Sequence, residues 1–94
     1  MYLTITHLEP DYLKPGKELT LRKDHANQYD DEAIAVLDGN AKIGYTANSC
    51  TTVARGTYSA GRLYDKIQEE AACRVLFVME DCAIAEVIPE TPEL

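Results

Sequence analysis

The feature that most limits what this chain can fold into is an Asp38-Gly39 pair set between two short apolar runs. Ala33-Ile34-Ala35-Val36-Leu37 precedes it and Ala41-Lys42-Ile43-Gly44-Tyr45 follows. Asp and Gly tolerate the positive φ of tight turns whose twist matches that of paired strands, so the segment predicts a β-hairpin. The first run is apolar on both faces, which is the pattern of a central strand covered on both sides.

The remaining segments read mostly as strands. Tyr2 to His7 alternates Leu3, Ile5 and His7 with Tyr2, Thr4 and Thr6, and Glu18 to Lys23 alternates Leu19 and Leu21 with Thr20 and Arg22. Glu9-Pro10 and Lys14-Pro15-Gly16 punctuate the loop between them. Ala72 to Met79 sets Val75, Phe77 and Met79 against Arg74, Leu76 and Val78; Glu80-Asp81 then turns the chain into a last strand over Cys82 to Ile88. Between the fourth and fifth strands the period changes. Ala47, Cys50, Val53 and Ala54 recur at helical spacing, with Asn48 or Ser49 as cap and Gly56 as terminator. Ser59 to Glu70 predicts a second helix through Leu63 and Ile67, although Gly61 costs about 1 kcal/mol relative to alanine there.

Six short strands with two inserted helices predict a mostly β fold, a small OB-like or SH3-like barrel that leaves few sheet edges open. Residues 1–88 read as a single domain and the acidic, proline-bearing segment 89–94 as a flexible tail. With 94 residues, 46 percent of them apolar, the chain can build one core but not a catalytic domain with a separate lid. No apolar run approaches the roughly 20 residues that span a bilayer, and the start lacks a signal-peptide layout, so a cytoplasmic location and no membrane partner are expected. Cys50, Cys73 and Cys82 are odd in number and form no CxxC pair, so they read as reduced, small hydrophobic side chains.

A net charge of −7 argues against nucleic acid, but the charge is unevenly spread. Residues 41–68 carry Lys42, Arg55, Arg62 and Lys66 against Asp65 alone, while both flanks are acidic. A local basic face on an acidic body is one reading and a solvated surface is the other.

Asp24 to Asp31 is polar apart from Ala26 and Tyr29 and reads as a surface loop. Asp30, Asp31 and Glu32 lack the DxDxDG spacing of a calcium loop, so neither a metal nor a cofactor is expected. Phosphate-cradling glycine loops are absent, and no serine, cysteine or histidine has the context of a nucleophile or its base, so an enzyme is not expected.

Taken together, Leu19-Thr20-Leu21, Asn27-Gln28-Tyr29-Asp30, Ala33-Ile34-Ala35-Val36 and Lys42-Ile43-Gly44-Tyr45 resemble the HIRAN domain over roughly residues 2–88. The segments around Ala47-Asn48-Ser49, Thr52 to Thr57 and Ser59 to Asp65 resemble its short bacterial members in particular. The resemblance implies an OB-like barrel. For members joined to DNA translocases it implies capture of the 3′ end of single-stranded DNA, with an aromatic residue on the terminal nucleotides and an aspartate accepting from the free 3′-hydroxyl. Tyr29 and Asp30 match those positions, and Asn27 matches the leading asparagine. Gln28 replaces a frequent proline, Tyr45 stands where a polar or basic group occurs, and the basic-plus-aromatic pair after the first strand has no clear counterpart among His7, Leu8 and Tyr12.

The first expectation is therefore a non-catalytic module for single-stranded or end-containing DNA, acting beside a DNA-processing protein. Asn27, Tyr29, Asp30 and Tyr45 would form its site, with Arg55, Arg62 and Lys66 as phosphate contacts. An adaptor whose acidic body docks a basic protein is the alternative, and a metal-dependent hydrolase on Asp30, Asp31 and Glu32 ranks last.

Overall fold

The computed structural model describes residues 1–6, 13–26, 32–47, 57–79 and 82–88. Among the described residues the strands are β1 (Tyr2–Thr6), β2 (Glu18–Lys23), β3 (Ile34–Asp38), β4 (Ala41–Thr46), β5 (Glu70–Val78) and β6 (Cys82–Ile88), with one helix, α1 (Ala60–Tyr64). The six strands pair antiparallel, the sheet closes in the order β1-β4-β3-β2-β5-β6, and Tyr58 adds an isolated parallel bridge to Leu3. The mostly β, six-stranded barrel is the expected class of fold.

Turn chemistry sets the registers. Lys14-Pro15-Gly16-Lys17 forms a tight turn in which Lys17 N–H donates to the Lys14 carbonyl at 3.1 Å and Gly16 takes φ +92°. Proline followed by a positive-φ glycine is the type II arrangement. In the β3–β4 hairpin Asp38 pairs with Ala41, so the loop is Gly39-Asn40, one residue later than the sequence suggests; Gly39 supplies φ +62°. Asp38 instead ends its strand and reaches Lys17 at 3.3 Å.

The core lies inside the barrel. Leu3 and Ile5 of β1, Leu19 and Leu21 of β2, Ile34 and Val36 of β3, Ile43 of β4, Cys73 and Val75 of β5, and Ala83, Ala85 and Val87 of β6 form one buried cluster. Truncating a fully buried member such as Leu21 to alanine costs about 2–5 kcal/mol. Ala33, Ala35 and Leu37 are also buried but lie outside that cluster, so β3 is covered on both faces, as its apolar run requires.

Two bulges interrupt the strict alternation. Val36 pairs with Gly44 and Leu37 with Lys42, which leaves Ile43 as the extra residue on β4. Val75 pairs with Ala85 and Phe77 with Ile84, which leaves Leu76 extra on β5. An extra residue resets the phase of every side chain beyond it. Phe77 consequently points outward and is 64% exposed instead of sharing the inward face with Val75.

Closure is thinnest between β1 and β4, where among the described residues only Ile5–Thr46 and Thr6–Tyr45 pair. The chain at 57–60 fills the rest of the seam. Tyr58 N–H donates to the Tyr2 carbonyl at 2.7 Å, Ala47 N–H to Thr4 at 2.8 Å, and Ala60 N–H to Ala47 at 2.9 Å. The hydroxyls of Thr4 and Thr57 lie 2.9 Å apart over the same seam. Helix α1 then places Ala60 and Leu63 in the core. Ser59 caps it as expected, its hydroxyl accepting from Arg62 N–H at 3.4 Å, but the helix stops at Tyr64 and not near Glu70. A tightened turn, Lys66 N–H to the Leu63 carbonyl at 2.9 Å, ends it, and Ile67 packs on the core from outside the helix. The helix expected over 47–56 lies, apart from Ala47, outside the described residues, as do the turn at Glu80-Asp81 and the tail 89–94.

Candidate nucleic-acid interface

The polar loop between β2 and β3 is hung from a defined root. Asp24 N–H donates to the Ala33 carbonyl at 2.8 Å, and the Asp24 carboxylate accepts from Ala26 N–H at 3.2 Å in an Asx-type turn. Asn27, Gln28, Tyr29, Asp30 and Asp31 follow and lie outside the described residues, as do His7, Leu8, Tyr12, Cys50 and Arg55.

At that root the structure assembles a group of three side chains. Tyr45 lies on the outer face of β4, opposite Ala35 of β3 and Thr6 of β1. Its hydroxyl donates to Asp24 Oδ2 at 3.1 Å and accepts from Lys42 Nζ at 2.7 Å. The Lys42 ammonium also stands 4.9 Å from the Tyr45 ring centroid. The bulge makes this possible. Residues three apart on a regular strand face opposite ways, but with Ile43 extra, Lys42 opposite Leu37 and Tyr45 opposite Ala35 share one face. The hydrogen bond to Tyr45, with that residue's negative charge when ionised and a smaller contribution from Asp24, raises the Lys42 pKa above the usual lysine value against the opposing effect of burial. Lys42 is thus a cation throughout the physiological range.

Arg62 and Lys66 occupy a second position. Among the described residues neither pairs with a carboxylate. Arg62 lies 5.0 Å and Lys66 6.0 Å from the Tyr58 ring centroid, a cation–π arrangement that leaves N–H groups able to reach a phosphate. Tyr58 is bound at the Tyr2 end of β1 and Tyr45 at the Thr6 end, a separation of about 13 Å along the strand at the usual strand rise. Tyr45 therefore clusters with Lys42 and Asp24, whereas Arg62 and Lys66 cluster with Tyr58. A third pair, Lys23 over Tyr64 at 4.3 Å, joins the end of β2 to α1.

Lys42 and Asp24 were not among the residues assigned to the site from sequence. In the sequence Lys42 belongs to the basic segment and to the Lys42-Ile43-Gly44-Tyr45 run, with no site role attached, and Asp24 is the start of a polar loop. Their meeting depends on the bulge. By contrast, Arg22 is held by Glu70 at 2.5 Å and His25 by Glu69 at 2.6 Å. The Cys73 thiol is buried and its pKa is pushed up to about 12 by desolvation, against a smaller lowering by a backbone hydrogen bond from Leu19, which makes it chemically inert at neutral pH. Among the described residues no group of three or more His, Cys, Asp or Glu side chains is arranged to hold a metal ion.

A small closed barrel with a loop rooted beside a tyrosine, a lysine and an aspartate defines the class of module. The model of the HIRAN domain matches residues 2–71, three quarters of the chain, and the chain belongs to that family. HIRAN domains are known for DNA binding and are not catalytic by themselves. Comparisons with curated proteins and with solved structures returned no match.

Proposed function

We infer that this domain captures a free 3′ end of single-stranded DNA. The observation that carries the reading is the coincidence of the family match, which includes Asn27, Tyr29 and Asp30, with the Lys42–Tyr45–Asp24 group at the root of that same loop. Each part has a role that follows from its chemistry. The Asp30 carboxylate accepts from a hydroxyl and repels a phosphate, so it discriminates a free end from a continuing strand. The Tyr29 ring offers a stacking surface of about 1–3 kcal/mol per base without regard to sequence. Asn27 matches the leading asparagine of the family's motif, Tyr45 carries Lys42 beside Asp24, and Arg55, Arg62 and Lys66 contact phosphates.

Fluorescence anisotropy with oligonucleotides ending in a 3′-hydroxyl or a 3′-phosphate tests this. The expected result is tighter binding of the hydroxyl end by the native protein and loss of that preference in Asp30→Asn. Equal, weak binding of both ends by the native protein would overturn it in favour of a protein adaptor, and metal-dependent cleavage in the same samples would favour the hydrolase.

A further inference from the structure

The outer face of the sheet beside the loop root holds a shallow slot that shares Asp24 and Lys42 with the reading above but whose floor that reading does not use. At its bottom lie Ala35 and Leu37, each 6% exposed, and Arg22, Lys23, Asp24 and Lys42 stand around an open depression of about 120 Å³. Cross-strand register builds it. Arg22 is opposite Ala35 and Thr20 opposite Leu37 on one side; Tyr45 is opposite Ala35 and Lys42 opposite Leu37 on the other. Ala35 thus lies between Arg22 and Tyr45, and Leu37 between Thr20 and Lys42, on neighbouring strands.

The charge of this slot sets it apart from its surroundings. Three cations face one carboxylate there, in a chain whose net charge is −7. Asp24 is already occupied by Tyr45 and Ala26, and Arg22 is partly neutralised by Glu70. The larger depression next to it, about 580 Å³, balances Arg22 and Lys23 with Glu69 and Glu70. An apolar floor with a cationic rim suits a nucleotide, which offers a flat apolar base and an anionic phosphate within one unit.

We propose that the Ala35–Leu37 slot is a second nucleotide subsite, which takes an internal nucleotide of a single DNA strand with its base on the floor and its phosphate on Lys42. The proposal rests on the end-capture reading for the direction of the strand: the terminus lies in the Asn27–Asp30 loop and the chain runs back over β3 and β4. Lys42 is well placed for this because its ammonium, steadied by the Tyr45 hydroxyl, remains on the protein surface.

The test separates length from end chemistry. Anisotropy is measured on the full chain with thymidine dinucleotides and hexanucleotides, each with a 3′-hydroxyl or a 3′-phosphate, for the native protein, Lys42→Gln and Ala35→Gln. The native protein is expected to bind the hexanucleotide about tenfold more tightly than the dinucleotide. In both variants that gain shrinks to about twofold, and in Ala35→Gln any preference for the 3′-hydroxyl is unchanged. An undiminished length gain in Lys42→Gln overturns the subsite even when the hydroxyl preference is present. Loss of the hydroxyl preference with a Lys42-dependent length gain overturns end capture and leaves the subsite standing. Absence of DNA binding by the native protein overturns both. Lys42 is exposed, so its substitution leaves the fold intact and the test remains decisive if Ala35→Gln does not fold.

Discussion

Lys42 Nζ donates to the Tyr45 hydroxyl at 2.7 Å although the two residues are three apart on one strand, because a bulge at Ile43 returns both to the same face. The hydroxyl passes the interaction on to Asp24, the residue from which the β2–β3 loop begins. A loop root, a strand interior and a surface cation are thereby linked through a single phenol.

Tyr45→Phe keeps the ring and removes that link. The Lys42 pKa is expected to fall back towards the ordinary lysine value, read from the pH titration of the lysine ε resonances by NMR. Single-stranded DNA binding should weaken about fivefold, the effect of losing roughly one hydrogen bond's worth of positioning. An unchanged Lys42 titration would show that the contact does not persist in solution.

The Leu76 bulge gives a contrasting pair. Sequence alternation places Val75 and Phe77 on one face, whereas the structure buries Val75 fully and leaves Phe77 64% exposed. Val75→Ala should cost about 2 kcal/mol in urea unfolding through the cavity it opens. Phe77→Thr, a far larger truncation, should change stability by no more than about 0.5 kcal/mol. Equal costs at the two positions would place Phe77 in the core and remove the bulge.

These cases show where the sequence was sufficient and where it was not. β2 and β6 begin and end where the alternation begins and ends, and Pro15-Gly16 and Gly39 turn the chain because few other residues accept their backbone angles. Such features are local, so local pattern finds them. A bulge is not local, since it is defined by two residues on one strand facing one on its neighbour, and the glycine at Gly44 is a hint that fixes neither its presence nor its position. The pairing of Lys42 with Asp24 was hidden for the same reason. Helix α1 is shorter than the Leu63–Ile67 spacing predicts, because Ile67 reaches the core from a turn.

Cys73 couples stability to alkaline pH. Its thiol is protonated in the folded barrel up to about pH 12, whereas the unfolded chain releases the proton near 9.0. The raised folded pKa belongs to a group that is neutral when protonated, so its contribution is fully present below pH 9 and is lost as pH rises from 9 towards 12. The loss approaches about 1.4 kcal/mol for each pH unit in that window. Urea midpoints of the reduced protein at pH 7, 9 and 10.5 should fall more steeply for the native protein than for Cys73→Val, and parallel curves would contradict the assignment.

Arg62 and Lys66 offer the sharpest separation between a DNA-binding surface and an acidic body that docks protein. Both cations lie over Tyr58 and, among the described residues, neither is tied to a carboxylate, so each is available to a phosphate without breaking an ion pair. Every phosphate contact on a single strand contributes about 0.7 to the slope of log affinity against log salt. Arg62→Gln and Lys66→Gln should therefore each flatten that slope by about 0.7 and weaken all sequences alike, with the double variant close to additive. A basic protein partner gives the opposite sign, because removing a cation from an acidic docking surface strengthens the attraction. Titrating both variants against an oligothymidylate across a salt series decides between the two, since only phosphate contact makes the loss of affinity and the loss of slope fall together.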